Sequence, residues 1–172
     1  MKNLYLALCG VLLSGCVGSL GQPKQILVKQ DKIKFDNEMY YGGKEISDDY
    51  YSYVNYFKDE DPQNVSSMIR IEFGKPKMSI DELVTTRIKR GKNTAKLSQN
   101  STIETNIFEP DEKHNVFHAT VEKVEYKSCG LVTLIYAQFF NKNTDKKVIE
   151  KIINEKKEKF IKNTPVTACH AL

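Results

Sequence analysis

The sequence lacks the patterns that mark several large classes of protein. It contains no repeat with a period of about 20 to 50 residues, and no Gly/Ser-rich or Pro-rich linker follows Lys24, which excludes a repeat array and indicates one domain. Charge of one sign is not in large excess: 26 Lys and Arg residues against 22 Asp and Glu residues give a formal net charge of +4. That balance argues against a dedicated nucleic-acid binder.

The motifs of well-known enzyme classes are also absent. The chain has no G-x-S-x-G nucleophile elbow, no phosphate-binding Walker loop, no dinucleotide glycine fingerprint and no H-E-x-x-H zinc motif. The composition, 40% hydrophobic and 28% charged, is typical of a globular domain. These absences do not exclude an enzyme, but they favour a non-enzymatic protein.

The first sixteen residues have the order of a lipoprotein export signal. Lys2 supplies a positive charge, and an apolar stretch of about ten residues follows, too short to span a bilayer. This stretch ends in Leu13-Ser14-Gly15-Cys16, which resembles the lipobox of bacterial lipoproteins. The resemblance implies cleavage before Cys16, a diacylglycerol on its thiol and an acyl chain on its new amino group. An ordinary secretory signal with a chance cysteine, or a buried N-terminal helix, is the alternative.

This resemblance divides the chain and gives it an address. We expect residues 1–15 to be a cleaved signal peptide, 16–24 a lipidated cysteine with a flexible tether, and 25–172 a single domain. In Gram-negative lipoproteins the residue after the lipidated cysteine influences sorting, and Val17 stands where Asp would favour the inner membrane. We therefore expect a periplasm-facing protein held at the outer membrane by its acyl chains. No cofactor beyond these lipids is expected.

Two helices are predicted from local patterns. Ser79 and Glu82 form a capping box before an apolar stripe, which predicts a helix from Ile80 to Arg90 with Gly91 at its left-handed end. A second helix is predicted from Thr144 to Ile161. Its buried side is expected to consist of Val148, Ile149, Ile152, Ile153, Phe160 and Ile161.

Alternating and apolar runs predict the strands. Residues 68–73 and 116–126 alternate apolar and polar side chains, and residues 131–140 are almost wholly apolar, which predicts a central strand. The expected fold is α+β, an antiparallel sheet of about five to six strands with two helices. The order resembles PsbP-like sandwiches, in which a C-terminal helix covers the sheet. The chain also resembles small uncharacterised periplasmic lipoproteins, a likeness that brings no activity with it.

The cysteines suggest one disulfide. If Cys9 leaves with the signal peptide and Cys16 is lipidated, Cys129 and Cys169 remain as a pair in an oxidising compartment. We expect them to form a disulfide. The alternative is a reactive thiol beside the imidazole of His170, which would require a lowered thiol pKa.

No metal site is expected from the sequence. His114 and His118 are four residues apart, and on a strand that spacing separates them by ~13 Å, too far for one metal ion. Surface positions are therefore expected for both. The acidic turn around Asp59 lacks the glycine and the distal glutamate of a calcium loop.

Tyrosine is concentrated in one part of the chain. Six of the nine tyrosines lie within 17 residues, from Tyr40 to Tyr56. Tyrosine is enriched at recognition surfaces, and alternation along a strand must point some of these rings away from the core. The residues predicted to bind a partner are Tyr50, Tyr51, Tyr53 and Tyr56. The alternative is that these rings simply fill a sheet and its edge.

The sequence therefore favours a non-enzymatic interaction module on a lipid anchor. Its partner is expected to be a protein, and an immunity protein that neutralises a toxin delivered to the periplasm is a sharper form of this hypothesis. The rivals are a small-ligand carrier and a small hydrolase of the cell envelope. A carrier requires a sizeable closed cavity, whereas an interaction module requires an exposed tyrosine patch.

The lipobox makes a direct prediction. Replacing Cys16 with Ser removes the thiol that would carry the diacylglycerol, so Cys16→Ser should move the protein from the membrane fraction to the soluble fraction. Cell fractionation with metabolic labelling by a radioactive fatty acid measures both effects. A mutant that remains labelled in the outer membrane would show that the lipobox interpretation is wrong.

Overall fold

A computed structural model describes residues 25–28, 30–47, 51–58, 66–75, 77–90, 92–163 and 168–171, with the backbone alone described for 25–28 and 168–171. The predicted signal peptide, Cys16 and the tether lie outside these residues, as do Tyr50 and Gly91. The elements in chain order are β1 (Gln25–Val28), β2 (Lys32–Phe35), β3 (Glu38–Gly42), β4 (Ile46–Ser47), β5 (Tyr51–Phe57), β6 (Ser67–Gly74), α1 (Ile80–Lys89), β7 (Asn93–Ser98), β8 (Ser101–Phe108), β9 (Val116–Lys127), β10 (Gly130–Asn141), α2 (Lys146–Lys162) and β11 (Ala168–Ala171).

The strands form one large antiparallel sheet and one small one. Among the described residues the large sheet has nine strands in the order β2-β3-β5-β6-β10-β9-β8-β7, with β4 added on β5, and β1 pairs with β11 in the small sheet. The predicted α+β class is confirmed, but the expected number of five to six strands is wrong. The apolar strand β10 lies near the middle of the sheet, as predicted. Short and polar strands account for the difference in number.

Both predicted helices are present, each within about two residues of its expected ends. The capping box of α1 is confirmed, since the Ser79 hydroxyl accepts from the Glu82 amide and the Glu82 carboxylate accepts from the Ser79 amide. The helix α2 begins after Asp145, whose side chain accepts from the amide of Lys147. Among the described residues, no helix combines the length and apolar character that crossing a membrane requires.

The helix α2 covers one face of the sheet. Its buried residues Ile149, Ile153 and Phe160 join a core with the inward side chains of the strands. The Phe160 ring meets Phe35 edge-on at 5.2 Å between centroids, a favourable aromatic geometry. Val148 was predicted on this buried side but is 48% exposed, because it lies at the edge of the apolar stripe. This core contains the strand residues Ile33, Phe35, Tyr40, Val54, Tyr56, Ile69, Ile71, Ile103, Ala119, Val121, Val132, Leu134 and Tyr136.

A tight turn joins β2 and β3 and is tied to α2. Its residues Asp36 and Asn37 both have positive φ, 51° and 63°, as a two-residue hairpin turn requires. The Asp36 carboxylate accepts from the ammonium groups of Lys156 and Lys159, the latter at 2.5 Å. These contacts hold the first hairpin of the sheet against the helix.

The turn between β9 and β10 requires glycine. Gly130 has φ of 134°, and a Cβ there would lie 2.8 Å from the carbonyl oxygen of Gly74, closer than packing permits. Cys129 precedes it and is disulfide-bonded. The side chain of Cys169 lies outside the described residues, so the pairing of these two cysteines stays a prediction.

The Asp36 contacts make stability depend on pH. Although burial acts to raise it, hydrogen bonds and charge from Lys156 and Lys159 hold the pKa of Asp36 below its ordinary value of 3.8. Because the pKa of Asp36 is lower in the folded protein than in the unfolded chain, its ionised carboxylate stabilises the fold at pH values above the unfolded-state pKa. This contribution is lost as the pH falls through the folded-state pKa. Asp36→Asn keeps a residue that tolerates positive φ and should cost about 1–3 kcal/mol at pH 7.

Urea unfolding at pH 7 and at a series of pH values below 4 measures this effect. The stability difference between the wild type and Asp36→Asn should shrink as the pH falls. Glu158→Gln, on the exposed side of α2, is the control and should change little at any pH. A difference for Asp36→Asn that is independent of pH would contradict the ion-pair explanation.

Candidate functional site

The second face of the sheet is covered only in part by the described helices. Strand alternation points Met68, Arg70 and Glu72 of β6 away from α2. Across the neighbouring strands, Arg70 is paired with Ile135, Ile135 with Glu122, and Glu122 with Glu104. The helix α1 lies on this side against β7 and β8. We call the remainder the open face. It carries Tyr51, Tyr53, Asn55, Met68, Arg70, Glu72, Glu104, Asn106, Phe108, His118, Thr120, Glu122, Ile135, Ala137 and Phe139.

A hollow of about 380 Å³ occupies the middle of the open face. Successive rows of side chains, about 7 Å apart along the strands, explain its shape. Ala137 and Thr120 are opposite each other in the middle row, and their short side chains form the floor. The row on one side of this floor is aromatic and contains His118, and the row on the other side is charged and contains Glu122. The residues that line the hollow are Met68, Arg70, Lys92, Glu104, Asn106, Phe108, His118, Thr120, Glu122, Ile135, Ala137 and Phe139.

The aromatic row is a stack of three rings. His118 lies between Phe108 and Phe139, with centroids 5.3 Å and 5.0 Å away and rings within 26° and 13° of parallel. Burial, with smaller effects of His114 and Arg70, lowers the pKa of His118 below 6.5, so its imidazole is neutral at pH 7. Its Nε2 atom is buried and has no hydrogen-bond partner among the described residues. A neutral ring with an unused nitrogen lines the hollow.

The charged row of the hollow contains the paired residues Glu104 and Glu122, and we call it the charged wall. One arginine of α1 holds this wall together. Arg87 donates from Nη1 to Glu104 at 3.0 Å and from Nη2 to Glu122 at 2.5 Å. The Glu104 side chain is 4% exposed, and burying a carboxylate so deeply is costly unless it is paired and hydrogen-bonded. Arg87 therefore joins α1 to two neighbouring strands at one end of the hollow.

Glu104 is surrounded by donors. Besides Arg87 it accepts from the Thr94 hydroxyl at 2.6 Å and the Asn106 amide at 2.7 Å, and Lys92 lies 3.9 Å away. Burial acts to raise the pKa of Glu104, but these donors hold it below 4.5. Glu104 is thus an ionised, fully engaged structural group.

A tyrosine patch adjoins the hollow through Arg70. The Arg70 guanidinium lies over the Tyr53 ring at 4.7 Å and donates to Asn55 at 2.7 Å. Tyr51 packs beside Tyr53 with centroids 5.7 Å apart and is 37% exposed. The patch and the hollow form one continuous surface, because Arg70 belongs to both.

The predicted tyrosine surface is therefore divided by strand alternation. Tyr51 and Tyr53 lie on the open face, whereas Tyr56 is 0% exposed and packs in the core on the opposite side of the sheet. The prediction of Tyr56 as a binding residue is wrong, because its strand position points it to the buried side. Tyr50 and the predicted lipidation site Cys16 lie outside the described residues.

The histidines also differ from each other. His114 is exposed, as predicted, with its Nδ1 atom 3.2 Å from Asp111. His118 is half-buried and lines the hollow, so the expectation of a simple surface position is wrong for it. In the described part of the chain no group of three or more His, Cys, Asp or Glu residues could hold a metal ion.

The sequence contained a weak signal for the hollow. The polar residues His118, Thr120 and Glu122 recur at every second position of β9, and they alternate with the apolar residues Phe117, Ala119 and Val121, which marks a polar face on this part of the strand. Only the register with β8 and β10 shows that these residues share a cavity. No known protein family, curated protein or solved structure matches the chain, so the geometry alone must support a function.

The charged wall predicts a large loss of stability on removal of its arginine. Arg87→Met would leave Glu104 buried without its main cation and should cost about 2–4 kcal/mol, somewhat less than a fully buried pair because Lys92 remains near. Urea unfolding measures the loss. The double variant Arg87→Met with Glu104→Gln should recover a large part of it. If the two losses simply add, the coupling we describe is absent.

Proposed function

We propose that the chain is a non-enzymatic lipoprotein, anchored through Cys16 to the outer membrane, that binds a protein partner through the open face. It would face the periplasm, where an immunity role against a delivered toxin is one form of this function. We also propose a PsbP-like arrangement for the fold, which the C-terminal helix covering one side of the sheet supports.

One observation carries the binding proposal. A single surface joins the exposed ring of Tyr51, the Arg70–Tyr53 stack and a hollow lined by aromatic and charged side chains. Tyrosine and arginine are among the residue types enriched at binding hot spots, which lie in well-packed, desolvated pockets. The surface combines both features on rigid strands, which supports recognition of a protein.

A small-ligand carrier is the second candidate, and the hollow is the reason to retain it. Its volume of about 380 Å³ falls within the range of ligand pockets, roughly 300–1,000 Å³. Yet the hollow is open to solvent rather than closed, and Phe108 at its side is 46% exposed. An open hollow suits an inserted side chain better than an enclosed ligand.

Site-specific photocrosslinking in the native host tests the binding proposal. A photoreactive phenylalanine analogue at Tyr51 or at Phe108 should yield the same discrete crosslinked protein, because both positions lie on the open face. The same analogue at Val148, which is 48% exposed on α2, is the matched control and should yield none.

The alternatives predict different outcomes. Crosslinking from Val148 alone would place the partner on the wrong side of the molecule and overturn the proposal. A carrier would give no crosslinked protein at Tyr51 or Phe108 but a small molecule that co-purifies with the protein, detectable by mass spectrometry after denaturation.

A further inference from the structure

The two carboxylates of the charged wall are unequally supplied with donors. Glu104 accepts from Arg87, Thr94 and Asn106, whereas Arg87 is the one donor that the described residues give Glu122. An ionised carboxylate can accept roughly four hydrogen bonds. Glu122 therefore retains most of its accepting capacity, and its side chain is 19% exposed within the hollow.

The basic side chains beside Glu122 are already engaged elsewhere. Arg70 is held by Asn55 and the Tyr53 ring and lies 3.5 Å from Glu72. Lys92 donates to Asn106 at 3.0 Å and lies 5.6 Å from the centre of the Phe108 ring. Among the described residues, neither forms a hydrogen bond or an ion pair with Glu122, and Arg87 is shared between two acids. The wall thus presents one carboxylate with room for another donor.

The rows of side chains in the hollow leave room for a slender side chain that ends at Glu122. His118, Thr120 and Glu122 follow one another on the same face of β9, so the aromatic row and the carboxylate are about 13 Å apart along the strand. Between them lie the short side chains of Thr120 and Ala137. An aliphatic stem would lie over this floor and beside Ile135, with a polar head at the wall.

We propose that the hollow binds a basic side chain of the protein partner, a lysine or an arginine, whose cationic head donates to Glu122. This inference rests on the proposed function and adds to it the chemistry of the partner. The aliphatic stem lies along Thr120 and Ala137, as the stems of basic side chains do on apolar surface.

The titration of Glu122 agrees with this geometry. Burial, together with the acids Glu104 and Glu72, raises the pKa of Glu122 above 4.5 despite the opposing effect of Arg87. A raised pKa means that the surroundings of Glu122 do not fully stabilise its negative charge. A further cation beside it would stabilise the ionised form.

Ligand-observed NMR titration of the full-length protein in a nonionic detergent tests the proposal. The probes are tripeptides with capped termini and a central lysine, arginine, norleucine or glutamate. Norleucine has the stem of lysine without its charge. At pH 7 we expect the lysine or the arginine peptide to bind about tenfold more tightly than the norleucine peptide, the scale of a charge-assisted hydrogen bond. Glu122→Gln should remove that preference.

The control variant is Glu125→Gln, which makes the same change on the same strand. Glu125 is opposite Val132, on the side of the sheet that α2 packs against, and it pairs with Lys123 and Lys127. It should therefore keep the preference for the basic peptides. Thermal unfolding of both variants checks that each is folded; should Glu122→Gln unfold, Thr120→Leu, which narrows the hollow, should weaken the basic peptides in its place.

Each other outcome overturns the inference. Equal binding of the norleucine and basic peptides would make the hollow a purely apolar pocket, preferential binding of the glutamate peptide would make it an anion site, and no binding at millimolar peptide would show that it takes no such side chain. None of these results affects crosslinking from Tyr51 and Phe108, so the proposed function stands or fails by that separate experiment.

Discussion

The packing of α2 on the sheet is the constraint on which the other features depend. The helix buries Ile149, Ile153 and Phe160 against inward residues of the sheet, and burial of such side chains supplies the main favourable free energy of folding. Because side chains alternate along a strand, covering one face assigns every second residue of β5, β6, β9 and β10 to the other. The character of the open face follows from that assignment.

The shorter helix α1 has a different role on the opposite side. Of its residues Ile80 is buried, so it contributes little apolar area and is held by polar contacts instead. Lys96 pairs with Asp81 at 2.5 Å, and Arg87 reaches the two glutamates. A helix attached in this way limits the hollow at one end without filling it. The contrast between an apolar helix and a polar one thus produces a closed face and an open face in one sheet.

Local patterns in the sequence predicted those parts of the fold that local interactions determine. The capping box of Ser79 and Glu82 requires four residues, and the continuous apolar run of β10 predicted a strand in the middle of the sheet. The edge strand β7 was missed because its residues are mostly polar and exposed. The turn at Asp36 and Asn37 was missed because neither residue is glycine, although both adopt positive φ.

The candidate site was harder to predict because it depends on the register between paired strands. Alternation predicted that some tyrosines would leave the core but not that Tyr53 would do so while Tyr56 would not. Glu104 and Glu122 are 18 residues apart and become neighbours only through the pairing of β8 with β9. A single sequence carries no direct record of that pairing, since a shift of one residue would exchange the two faces.

The same pairing gives the two glutamates their different chemistry. Glu104 faces Thr94 on β7 and Asn106 is two residues along its own strand, so neighbouring strands supply its donors. Glu122 has Ile135 as its other neighbour, which can donate nothing. One wall of the hollow therefore holds a satisfied carboxylate that fixes Arg87 and an under-supplied one beside it. Because both are carried by strands rather than loops, a ligand would meet a formed site, and little ordering would oppose its binding.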